Sequence, residues 1–254
     1  MSSPSRIPSR PTVGIIGFGA FGRLVAQHLA PYVDLRVYDP FQPHIEPGIA
    51  GVVRSELHEA ARSSVVVLAT PVSRLADAVA ALAPHLLPGT LVVDVGSVKV
   101  LPVEIMNAGL PPHVEILATH PLFGPQSAAA GIAGLKIAVC PIRGSRGRRI
   151  AAFLRRVLRL KVIVTTPEEH DREAAAVQGL THLIAKVLVS MEPLPTRMTT
   201  RSFELIMQAV DMVRYDAPEV FQAIERSNPY SAGVRQRFFA LAAQLDAELS
   251  CGRG

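Results

Sequence analysis

The chain has 254 residues, of which 49% are hydrophobic and 19% are charged, and its formal net charge is +5. This composition excludes a fibrous or disordered protein and is typical of a compact globular chain with material for two domains. No apolar run approaches the roughly 20 residues that cross a bilayer, and two cysteines are too few for a disulfide framework.

The first eleven residues, MSSPSRIPSRP, are polar and rich in proline and lack the apolar core of a signal peptide. We interpret residues 1–11 as a disordered tail. Together with the low cysteine content, this predicts a protein that stays in the reducing cytoplasm.

The stretch from Thr12 to Asp39 predicts a strand, a glycine turn, a helix and a second strand in one compact unit. The turn has the G-x-G-x-x-G pattern of a dinucleotide-binding site, formed by Gly17, Phe18, Gly19, Ala20, Phe21 and Gly22. Its first glycine permits a tight turn, its second lets the backbone approach a pyrophosphate, and its third lets the helix pack on the strand. A structural turn that binds no nucleotide is the alternative.

Asp39 lies at the end of the second predicted strand, 22 positions after Gly17. A carboxylate there accepts hydrogen bonds from ribose hydroxyls and repels the 2′-phosphate of NADP. No arginine follows it directly, since the next residues are Pro40 and Phe41. The sequence therefore predicts NAD as the cofactor.

Further strands are predicted near Val52–Val53 and over residues 64–69, 91–95, 114–118, 135–140 and 162–165, with a helix over 73–83. Thr70 and Pro71 follow a buried strand, and open α/β sheets bind ligands beyond the C-terminal ends of their strands. We expect these two residues to line the nicotinamide side of the cofactor groove. The basic segment 143–159 has apolar residues at helical spacing and predicts an amphipathic helix; nucleic-acid binding is an alternative that lacks interleaved aromatic residues.

From Thr166 onward the pattern is helical throughout, beginning with a capping box in which Glu169 is the third helical residue. Helices are predicted from Pro167 to about Met191 and over 202–213, 217–226 and 230–249. The predicted fold is α/β, with a dinucleotide-binding domain of mostly parallel sheet over 12–165 and a smaller all-α domain over 166–254. The helical domain carries more apolar surface than it can bury alone, which predicts a homodimer.

Three polar residues are predicted where the sheet meets the helical domain: Ser97, His120 and His182. Each alone has a structural explanation, as a turn, loop or buried helical residue. Their shared position near the ends of the strands beside the nicotinamide makes them candidate active-site residues. Gln178 precedes His182 by one helical turn, on the same face.

Four further motifs carry a family resemblance: D-V-G-S-V-K at Asp94–Lys99, T-H-P-L-F-G-P at Thr119–Pro125, E-H-D from Glu169, and Q-G-L-T-H ending at His182. With the glycine pattern, they resemble the prephenate and arogenate dehydrogenases of tyrosine biosynthesis, and in particular the plant and cyanobacterial arogenate branch. The resemblance covers residues 12–190 in order.

This resemblance implies NAD-dependent oxidative decarboxylation of prephenate or arogenate, to 4-hydroxyphenylpyruvate or tyrosine. His120 would accept the C4 hydroxyl proton as hydride leaves for the nicotinamide, Ser97 would orient His120 and touch the same hydroxyl, and His182 would reach the site from the helical domain. Gln178 would contact the substrate, and Arg197, Arg201 and Arg214 are candidates for binding its carboxylate. No metal, membrane or nucleic-acid partner is implied.

Two other hypotheses remain open. A β-hydroxyacid dehydrogenase or imine reductase would keep the architecture and use a helical lysine, for which Lys186 is the candidate, but it gives the H-P-L-F-G-P loop no role. A dinucleotide-sensing protein without turnover belongs to another class. NADH formation with candidate substrates distinguishes the three.

Overall fold

The computed structural model describes residues 10–42 and 48–251. Residues 1–9 of the predicted tail, residues 43–47 and residues 252–254 lie outside this part. The strands are β1 Thr12–Ile16, β2 Asp34–Tyr38, β3 Val52–Arg54, β4 Val65–Leu68, β5 Leu91–Asp94, β6 Glu115–Pro121, β7 Lys136–Arg143 and β8 Lys161–Val164. The helices are α1 Ala20–Leu29, α2 Leu57–Ala61, α3 Leu75–Leu82, α4 Val100–Gly109, α5 Gly147–Arg156, α6 Pro167–Ala174, α7 Leu180–Ser190, α8 Arg201–Val213, α9 Pro218–Gln222 and α10 Ser231–Cys251.

The eight strands form one sheet in the order β3-β2-β1-β4-β5-β6-β7-β8. All neighbouring pairs are parallel except β6 and β7, which are antiparallel. The first six strands have the order of the doubly wound dinucleotide-binding fold, in which ligands bind where the strand order reverses, between β1 and β4. The predicted α/β fold with a mostly parallel sheet is confirmed.

Apolar side chains cover both faces of the sheet. Successive side chains of a strand point to opposite faces, so Ile15 joins the core beside α1 whereas Ile16 joins the core beside α4, which includes Met106. This two-sided burial explains why the central strands are continuous apolar runs. The sheet is therefore a rigid support for residues at the strand ends.

The register of the parallel strands determines which of the residues that follow them lie side by side. Ile16 pairs with Leu68, Leu68 with Asp94, and Asp94 with Ala118. Two residues beyond each of these positions lie Phe18, Thr70, Gly96 and His120. Four neighbouring strands thus bring the glycine loop and His120 to one level at the same edge of the sheet, with neighbouring strands about 4.8 Å apart.

Several element bounds differ from the sequence predictions. Strand β6 extends to Pro121, because its residues 116–121 pair with β7, so His120 lies in a strand and not in a loop. Helix α4 was not predicted. The expected helix from Pro167 to Met191 contains a π-helical turn at Ala175–Gly179, and a second π-helical turn, Ala223–Ser227, follows α9.

The end of the predicted tail is also different, since Arg10 donates a hydrogen bond to the Ala30 carbonyl and Pro11 O accepts one from Asp34 N. Both residues are exposed, but these hydrogen bonds connect them to the domain. The basic segment forms α5, and Arg143 and Arg146 at its N-terminal side donate hydrogen bonds to main-chain carbonyls. Within the described ranges, no helix is both long and apolar enough to cross a membrane.

Candidate active site

The glycine loop between β1 and α1 has the geometry of a phosphate cradle. Gly17 has φ of 94°, and a Cβ there would lie 2.7 Å from the Ala69 carbonyl oxygen. A Cβ at Gly22 would collide with the Gly17 carbonyl, so the helix packs closely on the strand. By contrast, a Cβ at Gly19 would meet no heavy atom within 4 Å. The space above Gly19, at the N-terminus of α1, is open to an anionic group.

Asp39 connects the glycine loop to the end of β2. Its Oδ2 accepts a hydrogen bond of 2.7 Å from Phe18 N, and its Oδ1 accepts one of 2.9 Å from Phe41 N. Each carboxylate oxygen has a second lone pair, which a ribose hydroxyl can use. The Phe18 ring is fully buried in the core, so this residue faces the cofactor side only with its backbone.

The other predicted cofactor residues line the same edge. Ala20 is exposed at the start of α1, and Phe21 is half-buried against the core. Thr70 Oγ1 is buried and has no hydrogen-bond partner among the described residues, while Pro71 is exposed. An orphaned hydroxyl beside Gly17 and the open space above Gly19 fit a bound dinucleotide.

His120 lies on β6 with only 4% of its surface exposed. Its Nδ1 is 2.8 Å from Nε2 of His170, and His170 Nδ1 is 2.8 Å from Oδ1 of Asp171. His170 and Asp171 belong to α6, so the helical region supplies two groups behind the strand histidine. The other ring nitrogen of His120, Nε2, forms no hydrogen bond to any of the described residues.

The environment keeps the His120 imidazole neutral. Burial lowers its pKa well below the ordinary value, and the neighbouring His170 and Lys99 lower the pKa further. A neutral imidazole accepts a proton through its unprotonated nitrogen. His120 is therefore available as a general base at neutral pH.

A buried ion pair connects the C-terminal ends of β5 and β6, next to His120. Lys99 Nζ lies 2.7 Å and 2.6 Å from the two carboxylate oxygens of Asp94 and 2.7 Å from the Thr119 carbonyl oxygen. The Lys99 side chain is 0% exposed and that of Asp94 is 2% exposed. The three donors of the ammonium are thus all used, which fixes the loop after β5 against β6.

Ser97 lies in that loop but forms no hydrogen bond to His120 in the structure. His170 occupies Nδ1 of His120 instead, so the expected orienting role of Ser97 is not what the geometry provides. A contact between Ser97 and the substrate hydroxyl stays a prediction.

His182 is buried on α7 with both ring nitrogens engaged. Its Nδ1 is 2.9 Å from the Gln178 carbonyl oxygen, and its Nε2 is 3.2 Å from Asp216 Oδ2. Gln178 Oε1 is buried without a partner among the described residues, in the π-helical turn. π-Helical turns are frequent at functional sites. Asp216 Oδ1 also lies close to Gly124, which brings the H-P-L-F-G-P loop beside His182.

The candidate arginines differ in their surroundings. Arg214 donates a hydrogen bond of 2.9 Å to Glu192, has a second ion-pair contact of 2.9 Å with it, and donates one of 3.3 Å to Asp211; the two carboxylates raise the pKa of Arg214. Arg201 pairs with Glu204 on the surface of α8, and Arg197 is exposed. Arg214 is thus already paired with two carboxylates of the chain.

Lys186, the candidate base of the alternative enzyme class, is exposed and its ammonium lies 5.6 Å from the centre of the Phe221 ring. This cation–π contact holds it on the surface. Among the described residues, no group of three or more His, Cys, Asp or Glu side chains could hold a metal ion.

Sequence reasoning did not assign roles to four residues of this site: Asp94, Lys99, His170 and Asp171. All four lie within the motifs Asp94–Lys99 and E-H-D that carried the family resemblance. Of the four, Asp94 carried a signal, since it lies within the predicted strand 91–95 and buried charges are nearly always paired.

Comparisons with known proteins agree with the family resemblance that the sequence predicted. The family model for the nucleotide-binding domain of prephenate dehydrogenase matches residues 44–139. Arogenate dehydrogenase 1, chloroplastic, of Arabidopsis thaliana is 27% identical over 252 residues, which cover 95% of this chain and 39% of that protein. Arogenate dehydrogenase 2, chloroplastic, of the same plant is 33% identical over 146 residues, which cover 55% of this chain and 41% of that protein.

Among solved structures, prephenate dehydrogenase from A. aeolicus in complex with hydroxyphenyl propionate and NAD+ has a similar fold. The TM-score is 0.73 at 20% identity, and the match covers 95% of this chain and 91% of that chain. The chain spans about two fifths of the length of the two plant proteins.

The sheet order, the glycine loop and the helical region that follows define a dinucleotide-binding α/β protein with an α-helical second part. Within that class, the chain is a relative of the prephenate/arogenate dehydrogenase family, which confirms the predicted resemblance. The matched range 44–139 contains both the Asp94–Lys99 loop and His120.

Proposed function

We propose that the chain is an NAD-dependent dehydrogenase that oxidatively decarboxylates prephenate or arogenate. One observation carries the proposal. The strand register brings the open glycine loop and the buried, neutral His120 to the same edge of the sheet. This arrangement supports a hydride acceptor and a base that act on one substrate carbon.

Three groups of this chain would hold the dinucleotide. The backbone at Gly19 would receive the pyrophosphate, Asp39 would accept hydrogen bonds from the adenosine ribose, and Thr70 Oγ1 would gain the partner it lacks. The bound nicotinamide supplies the acceptor for a hydride.

His120 Nε2 would accept the C4 hydroxyl proton while the C4 hydrogen leaves with its electron pair. The C4–O bond becomes a carbonyl, and the ring then loses carbon dioxide. The electron pair of the broken carbon–carbon bond enters the ring and the carbonyl oxygen becomes a phenol oxygen, which takes up a proton. Gain of aromaticity drives this second step.

The remaining predicted contacts concern the substrate. Ser97 would touch the C4 hydroxyl, and Gln178 and His182 would approach from the helical side, where Gln178 Oε1 still lacks a partner among the described residues. Arg214 would bind a carboxylate by releasing Glu192. These roles rest on the family resemblance and on the positions of the side chains.

Steady-state NADH formation with prephenate, arogenate and several hydroxyacids tests the proposal. We expect turnover with one of the first two, and kcat/KM that falls as the pH drops through the depressed pKa of His120, well below its ordinary value near 6.5. His120→Asn keeps a hydrogen-bonding side chain but is not basic, so kcat should fall about 10²–10⁴-fold while NAD binding persists. Near-normal turnover in that variant would show that His120 is not the base.

We also propose that the helical region pairs with a second copy of the chain. Helix α10 has 21 residues, of which only Ser231 is buried, and it exposes Leu241, Leu245 and Leu249. Exposed apolar rows of this kind mark an association surface. Light scattering at micromolar concentration should give a dimer, and a monomer there would exclude this assembly.

Two unpaired cysteines, one of them exposed, support a cytoplasmic location.

A further inference from the structure

Two residues of α6 stand behind His120 in a chain of hydrogen bonds. The chain runs from His120 Nδ1 to His170 Nε2 and from His170 Nδ1 to Asp171 Oδ1, with both distances 2.8 Å. The three residues are 4%, 6% and 0% exposed. Solvent therefore does not compete for these contacts, and each buried polar group must have its hydrogen-bond partner within the chain.

The carboxylate of Asp171 fixes which nitrogen of the His170 ring carries a hydrogen toward it. Its two oxygens also accept backbone N–H groups, from Lys99 at 2.7 Å and from Val100 at 2.9 Å. Backbone N–H groups only donate, so Asp171 is an acceptor, and His170 Nδ1 carries the hydrogen that it donates to Asp171.

A neutral imidazole has one N–H and one lone pair. When His170 is neutral with its hydrogen on Nδ1, it presents a lone pair at Nε2, so His120 donates from Nδ1. The hydrogen of neutral His120 is then on Nδ1, and Nε2 is left unprotonated on the side away from His170. That is the nitrogen available to accept a proton.

We propose that His170 and Asp171 are positioning residues, which hold His120 in the Nδ1–H tautomer and orient its Nε2 as the base. The proposal rests on the proposed function for its kinetic consequence, but the tautomer itself is a property of the free protein. The logic is that of a carboxylate that sets the tautomer of a catalytic histidine, extended by one imidazole.

Asp171 has a second task that makes it unsuitable as the test site. By accepting the N–H groups of Lys99 and Val100, it satisfies backbone donors at the start of α4, and its own carbonyl accepts a hydrogen bond from Asn228. A substitution there would disturb the loop that carries Ser97. His170 is the better test site, because among the described residues its ring forms hydrogen bonds only to His120 and Asp171.

Two variants of nearly equal size separate the hydrogen bond from packing. His170→Gln keeps a strong acceptor that can reach His120 Nδ1, whereas His170→Met fills similar space with only the weak thioether acceptor. The other charged groups near His120 are Lys99 and Asp94, which remain paired with each other in both variants.

Nitrogen-15 NMR of the histidine rings reads the tautomer directly, with His120→Asn to identify the His120 signals. We expect wild-type His120 and the His170→Gln variant to carry the hydrogen on Nδ1, and His170→Met to lose this preference. A hydrogen on Nε2 of wild-type His120 would overturn the proposal. So would an unchanged tautomer in His170→Met. Neither result depends on whether prephenate or arogenate is turned over.

Kinetics give the second measurement. His170→Met should lower kcat about 10²–10⁴-fold with an NAD dissociation constant within about twofold of wild type, whereas His170→Gln should stay within about tenfold of wild-type kcat. Equal activity of the two variants would overturn the positioning role. If His170→Met fails to fold, the wild-type tautomer and the His170→Gln variant still decide the question. If the wild-type protein turns over neither substrate, the proposed function fails, while the NMR result stands.

Discussion

The buried pair of Lys99 and Asp94 makes a quantitative test of the structure possible. In Lys99→Met, the carboxylate of Asp94 stays buried but loses both contacts to the ammonium, at 2.7 Å and 2.6 Å, and the Thr119 carbonyl loses its donor. Breaking a buried pair on one side costs about 3–5 kcal/mol of unfolding free energy. At about 2–4 °C per kcal/mol for a chain of this size, the unfolding midpoint should fall by about 6–20 °C.

The loss should depend on pH in a defined direction. Burial raises the pKa of Asp94, and Lys99 is the largest of the influences that oppose the rise. Without Lys99, the pKa of Asp94 rises further, and the folded variant binds a proton more tightly than the unfolded chain does. The contribution of such a group is fully present below the unfolded pKa and is lost as the pH rises through the folded pKa. The difference from wild type should therefore shrink as the pH is lowered from about 8 to about 5.

Thermal unfolding of four proteins is the assay: wild type, Lys99→Met, the double variant Asp94→Asn/Lys99→Met, and Lys161→Met as a control. The double variant removes the stranded charge and should recover part of the lost midpoint. Lys161 is exposed at the start of β8, so its replacement should change the unfolding free energy by less than about 0.5 kcal/mol. A Lys99→Met midpoint as close to wild type as that of the control, or a double variant no more stable than the single one, would refute the reasoning.

Three further predictions concern single residues. Asp39→Ser should narrow the preference in kcat/KM for NAD over NADP, because the serine does not repel a 2′-phosphate; an unchanged ratio would show that Asp39 does not set it. Gly19→Ala should leave the unfolding midpoint nearly unchanged, since a Cβ there meets no atom within 4 Å, but calorimetry should show NAD affinity weakened about tenfold or more. In the native protein, only Cys251 should react quickly with a thiol reagent, because Cys140 is buried and its pKa is raised to about 12; two rapid thiols would contradict this.

The sheet was predictable from the sequence because its strands are short apolar runs that end in glycine, proline or polar residues. The β6 end was not, because Thr119 to Pro121 have no apolar pattern and become a strand only by pairing with β7. The π-helical turn at Ala175–Gly179 was equally hidden, since its residues fit the helical period of the surrounding segment. Boundaries set by tertiary pairing are not encoded locally.

The candidate site also has residues that the sequence predicted and residues that it did not. The sequence led to His120, because it shares the ligand-binding edge of the predicted sheet with other polar residues and lies in a motif of the family that the chain resembles. They did not lead to His170, which lies 50 residues further along the chain, because the contact between the two rings depends on how α6 packs behind β6. Because the contact between His120 and His170 could not be predicted, Ser97 was expected to orient His120.

The low pKa of His120 also constrains the order of events in the proposed reaction. Burial keeps His120 neutral, and the same burial makes its protonated form costly. An alcohol is a far weaker acid than an imidazolium of low pKa, so His120 cannot remove the C4 hydroxyl proton in advance. The proton becomes acidic only as the hydride leaves and the carbonyl forms.

Proton and hydride should therefore move in one step, and two isotope effects on kcat/KM test this. Deuterium at C4 slows hydride transfer, and deuterium oxide slows transfer of the hydroxyl proton to His120. If both belong to one transition state, the solvent effect measured with the C4-deuterated substrate is as large as with the ordinary one. A solvent effect that shrinks on the deuterated substrate would place the two transfers in separate steps and contradict the single-step transfer.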